Sequence, residues 1–129
     1  MTRVMSVAIY GNMFQGYQVY LLGSDGVWNL PSLNIPAEPT KPLVYYAKDL
    51  LESYGILSTI DSYRYVKYID YDNLYLTTGE VTVVFVTKLD RKPESVAGMF
   101  YTYELPKTSE DCRDIISNAL GRIVRKNYD

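Results

Sequence analysis

Histidine is absent from the 129-residue chain. Its absence removes the commonest general base, every Ser-His-Asp or Cys-His constellation, and every zinc site that needs imidazole. Cysteine is nearly absent too. The lone Cys112 cannot close an internal disulfide, and its apolar neighbours mark it as a buried structural thiol rather than a nucleophile. No apolar run approaches the roughly eighteen residues that span a membrane. The opening residues, Met1-Thr2-Arg3-Val4-Met5-Ser6-Val7, lack the apolar core and cleavage site of a secretion signal, so a cytoplasmic protein is expected. Strong charge of either sign is missing as well. A net charge of -2 gives no electrostatic reason to expect nucleic acid as the main partner. With no repeat, low-complexity tract or linker, residues 1–129 are expected to form one domain with a single core.

What is present is organised around residues 28–56. Trp28-Asn29-Leu30-Pro31 ends a strand, and Pro36, Pro39 and Pro42 hold the next segment extended. Thr40 suits a helix N-cap with Pro42 just inside, and a helix is predicted over residues 43–54. Leu43, Ala47, Leu50, Leu51 and Tyr54 recur at three- and four-residue spacing and form its expected buried stripe. Lys48, Asp49, Glu52 and Ser53 fall on the other side. Gly55 suits the left-handed residue that ends a helix, with Ile56 packing back on the last turn.

Strands are predicted on either side. Residues 3–10 carry Val, Ile and Met without a breaker, as in a strand covered on both faces, and residues 17–22 make the return strand of a hairpin. Gly23-Ser24-Asp25-Gly26 is a turn, since its last glycine is not followed by the lysine and serine of a phosphate-binding loop. After the helix come a short strand at 57–60, a strand at 63–69, a weak continuation at 74–76, a central strand at 81–89 and a further one at 99–105. Thr108-Ser109-Glu110-Asp111 offers an N-cap and acidic first turn to a closing helix of Cys112, Ile115, Ile116, Ala119, Leu120, Ile123 and Val124.

The central stretch resembles the Nudix family. The family's box runs Gly, five residues, Glu, seven residues, then Arg-Glu-apolar-any-Glu-Glu-any-Gly-apolar, usually after a Trp-any-apolar-Pro segment. Here its second half reads Lys48-Asp49-Leu50-Leu51-Glu52-Ser53-Tyr54-Gly55-Ile56. Lys48 stands for the arginine, Asp49 for the first glutamate, Glu52 matches, and Ser53 replaces the last glutamate. Counting back from Lys48 puts Asn34 at the box glycine and Thr40 at its first glutamate; counting forward from Pro31 gives Leu33 and Pro39. Neither count restores the missing residues.

The resemblance implies an α/β fold, a Nudix-like α/β/α sandwich with a mixed sheet between helices. It also implies a site where box carboxylates hold magnesium or manganese against the diphosphate of a nucleoside diphosphate derivative. The remaining catalytic and metal-ligand candidates are Asp49 and Glu52, with Glu94 or Glu80 as a more distant ligand, so the metal is expected to bind weakly. Asp49 and Glu52 equally suit a solvated helix face, with Lys48 and Glu52 as an exposed pair.

Most of the 14 tyrosines suit strand surfaces with one wet edge, and some suit stacking on a nucleobase. Trp28, Tyr45 and Lys48 are the ligand-binding candidates, beside Tyr46. Three functions follow from the resemblance and the damaged box. The preferred one is a Nudix-like domain with a degraded metal site, binding a nucleotide-type ligand or a protein partner with little hydrolysis. The others are an active magnesium-dependent hydrolase and a small α/β interaction module.

Overall fold

In the computed structural model, which describes residues 2–69, 81–93 and 98–125, the apolar segments become strands and the two periodic segments become helices. Their order is β1 (Thr2–Asn12), β2 (Gly16–Tyr20), β3 (Leu22–Ser24), β4 (Val27–Asn29), β5 (Ser32–Ile35), α1 (Leu43–Glu52), a 3-10 turn (Ile60–Ser62), β6 (Tyr63–Ile69), β7 (Val81–Leu89), β8 (Met99–Tyr101) and α2 (Glu110–Arg125). The main sheet runs β6-β7-β1-β2-β8. β7 lies parallel to β1, from Thr2 beside Val81 to Tyr10 beside Leu89. The other flank of β1 is shared by two antiparallel neighbours, β5 against residues 2–5 and β2 against residues 9–12. β3 and β4 form a separate hairpin, turned by Asp25 and Gly26 at φ 53 and 81.

The sheet is covered on both faces, which is why β1 and β7 are almost continuously apolar. Val4, Ala8, Val83, Phe85 and Leu89 share a buried cluster with Ala47 and Leu51 of α1. Met5, Val7, Ile9, Val84 and Val86 point the opposite way and pack with Cys112, Ile115, Ile116, Ala119 and Ile123 of α2. Ser6 is the polar exception, and its hydroxyl donates to the Ala47 carbonyl at 2.8 Å, fixing α1 on the sheet. The architecture is the expected α/β/α sandwich with a mixed sheet. No helix among the described residues is long and apolar enough to cross a membrane.

Several local expectations are corrected. The helix starts at Leu43 with Pro42 in the capping position and no side-chain cap. Thr40 is instead held by Tyr46, whose hydroxyl accepts the Thr40 N–H at 3.1 Å. The buried stripe centres on Ala47 and Leu51, with Leu43, Val44 and Tyr46 partly buried around them. Leu50 is half-buried at its rim, and Tyr54 lies beyond the last helical residue and is exposed. Gly55 does end the helix. Its φ of 84 lets its N–H reach the Glu52 carbonyl while Ile56 N–H reaches that of Leu51, and Ile56 is buried.

Residues 57–60 form no strand. There Ser62 Oγ donates to the Thr59 carbonyl at 2.7 Å, a local bond that favours the 3-10 turn. β8 is shorter than the predicted 99–105, because the chain turns where Glu104 N–H bonds the Tyr101 carbonyl. The predicted segment 74–76 lies outside the described residues. At α2 the cap falls on Ser109, whose Oγ accepts the Cys112 N–H at 3.3 Å.

Candidate functional site

The exposed face of α1 gathers most of the candidates. Tyr45, Lys48, Asp49 and Glu52 lie at three- and four-residue intervals and share that face. Glu52 forms an ion pair with Lys48, and Asp49 forms one with Lys41 from the loop before the helix. The Lys41 ammonium also lies 4.7 Å from the centre of the Tyr46 ring. Tyr46 is itself tied to Thr40, whose hydroxyl and N–H lie 3.3 and 3.1 Å from the phenol oxygen. Those two contacts hold the Tyr46 pKa below the ordinary phenol value, and the nearby Lys41 charge acts in the same direction.

Ser53, at the position of the last box glutamate, turns inward to its own helix and donates to the Leu50 carbonyl at 2.6 Å. Tyr63, at the start of β6, borders the acids. Burial pushes its pKa up to about 12, opposed by a 2.8 Å hydrogen bond with Ser58 and assisted by the negative charges of Glu52 and Asp49.

Among the described residues, no three of His, Cys, Asp and Glu come together. Two carboxylates, each already facing an ammonium, do not fit a tightly held divalent ion, which takes six or more oxygen ligands. Glu80 and Glu94 lie outside the described residues.

Trp28 is not brought to this face. Its ring packs edge-on against Phe100 at 4.7 Å in the layer under α2, and the Trp28 backbone N–H donates to the Lys107 carbonyl. Gly23 makes room for it, since a Cβ there would sit 2.9 Å from the indole. Tyr45 remains open to solvent. Lys41 and Tyr63 were not legible as site residues. The four-residue interval of Lys48 and Glu52 announces their pair, whereas Lys41 stands eight positions before Asp49 and lies outside the helix, so helical spacing does not place it.

No family model and no curated protein matches the sequence. Solved structures do match. A MutT/nudix family protein from Enterococcus faecalis superposes with a TM-score of 0.71 at 13% identity, over 96% of this chain and 62% of the other. The NUDIX domain of Shewanella oneidensis NrtR, in complex with ADP ribose, gives 0.70 at 16% identity, over 95% and 88%. The C-terminal domain of mouse MUTYH, in complex with human PCNA, gives 0.68 at 16% identity, over 94% and 88%. This chain thus spans less than two thirds of the Enterococcus protein and most of the two isolated domains. At such identities the likeness is one of fold, and it runs through nearly the whole chain: the protein has a Nudix-like fold.

Proposed function

We propose that this domain binds a nucleotide-type ligand at the exposed face of α1 and hydrolyses it little or not at all. One observation carries the reading: each carboxylate kept from the box is engaged by a lysine of the same chain. A hydrolase of this fold needs a cation that neutralises the diphosphate and activates water together. Here the hydroxyls standing for two further carboxylates are also turned to partners of their own, Ser53 to Leu50 and Thr40 to Tyr46. Tyr45 offers an exposed ring for a base and Lys48 a positive charge for phosphate. Trp28, committed to Phe100, has no part in it.

A protein partner is the second reading. It is favoured by the exposed Met13 and Phe14 at the β1–β2 turn, near which Tyr101 and Tyr103 stack at 5.1 Å beside Gly16.

The test is turnover of nucleoside diphosphate derivatives, ADP-ribose included, with magnesium and with manganese. Barely detectable hydrolysis is expected, with divalent binding in about the millimolar range or weaker for so few ligands. Ser53→Glu should raise the rate only when Thr40→Glu is added. Robust wild-type turnover, abolished by Asp49→Ala and by Glu52→Ala, would establish a working hydrolase and overturn the proposal.

A further inference from the structure

We infer that Lys41 and Lys48 are the resident cations of the α1 face, neutralising Asp49 and Glu52 in the free protein and turning to the phosphates of an incoming nucleoside diphosphate, so that binding requires no divalent ion. The inference rests on the nucleotide-binding reading above and supplies its electrostatics.

Charge balance is the first argument. Two ammonium groups carry the same double positive charge as one divalent ion, and they already face the two carboxylates that would otherwise bind it. A metal approaching this face would have to displace both, and it would meet only two charged oxygen donors among the described residues.

Position is the second. Lys41 is not a free surface lysine, because Asp49 holds its ammonium and the Tyr46 ring lies beside it. Tyr46 is fixed in turn by Thr40, so the loop entering α1 presents the charge in a set place. Lys48 is the less exposed member of its pair, with its side chain 23% accessible against 37% for Glu52.

Exchangeability is the third. Exposed ion pairs are weak, so a lysine can leave its carboxylate for a phosphate oxygen at little cost. The carboxylates would then repel the ligand, which limits affinity. Lysine ammonium groups neutralise phosphate but do not ionise a bound water as a divalent cation does, so this arrangement binds without hydrolysing.

Two measurements test the inference. The first is manganese binding, followed by electron paramagnetic resonance, in the wild type and in Lys41→Met/Lys48→Met. Freed of their lysines, the carboxylates should bind manganese about tenfold more tightly, and adding Asp49→Asn and Glu52→Gln should remove the gain. The second is calorimetry of ADP-ribose with EDTA and with magnesium. Wild-type affinity should be the same in both, fall about tenfold in Lys41→Met/Lys48→Met, and rise in Asp49→Asn/Glu52→Gln. No manganese gain in the double-methionine protein would overturn the neutralising role. Binding that EDTA abolishes, or that the Asn/Gln protein loses, would overturn the metal-free role while leaving a nucleotide ligand in place. If the wild type binds ADP-ribose in neither condition, the turn to phosphate fails together with the nucleotide reading, and the manganese result alone then decides the neutralising role. Circular dichroism of each variant separates these losses from misfolding.

Discussion

Replacing Leu51 by Ala should cost about 3 to 4 kcal/mol of stability, and replacing Leu50 by Ala under about 1. The two leucines are adjacent, identical and on one helix, so the difference isolates which side of α1 faces the sheet. Leu51 is fully buried in the cluster that holds Ala47, Ile56, Val83 and Phe85. Truncation removes three carbons, worth about 0.8 kcal/mol each. A further term of about 1 kcal/mol arises because β1 and β7, paired along their length, cannot collapse into the space. Leu50 is half-buried at the rim, where water fills the gap and the higher helix propensity of Ala offsets part of the loss. With an m-value of about 1.5 kcal/mol/M, the Leu51 variant should lower the urea midpoint by roughly 2 M. Far-ultraviolet circular dichroism reads that shift directly. A Leu50 variant as damaged as the Leu51 variant would mean that α1 is rotated on the sheet. The rotation would carry Asp49 and Glu52 with it, and the lysine pairs would need to be redrawn.

Alkaline pH should destabilise the protein in part through Tyr63. Its pKa of about 12 lies above the ordinary phenol value of 10.0, so its contribution is complete below about pH 10 and is lost as pH rises toward 12. Tyr63→Phe should flatten the stability curve across that interval, and an unchanged slope would remove Tyr63 as its source. Gly11→Ala should be severely destabilising, because Gly11 has φ 125 and a Cβ there would sit 2.1 Å from the Gly16 carbonyl oxygen. Gly26→Asn, at φ 81 with open space around it, should cost under about 1 kcal/mol, since Asn tolerates the left-handed region. Equal thermal melts for the two glycine variants would refute that contrast.

The parts of the fold legible in the sequence are those where one local rule decides. α2 follows from the unbroken spacing of Ile115, Ile116, Ala119 and Ile123, and β7 from a run that only a doubly covered strand can use. Gly55 ends α1 because few other residues take its backbone angles. β5 could not be read this way. Of Ser32, Leu33, Asn34 and Ile35, only Ile35 is buried, and the prolines that follow suggest a loop. Its strand character comes from pairing with residues 2–5, a contact made by the tertiary fold. The site divides likewise. Asp49, Glu52 and the Lys48 pair follow from helix geometry, whereas the roles of Lys41 and Tyr63 depend on where a proline-rich loop and a strand start come to rest.

The parallel pairing of β1 with β7 bears on how the chain is made. Arg3 hydrogen-bonds Thr82 across 79 positions of sequence, and every rung of that ladder closes a loop of similar length. During synthesis β1 is therefore complete long before its principal neighbour exists, and β5 and β2 together cover only part of one of its edges. Such non-local closure slows folding, and an apolar strand waiting with an open edge invites pairing with other chains. Newly made copies should thus be most prone to aggregate before residue 89 has left the ribosome, and slower translation upstream of β7 should lower the soluble yield.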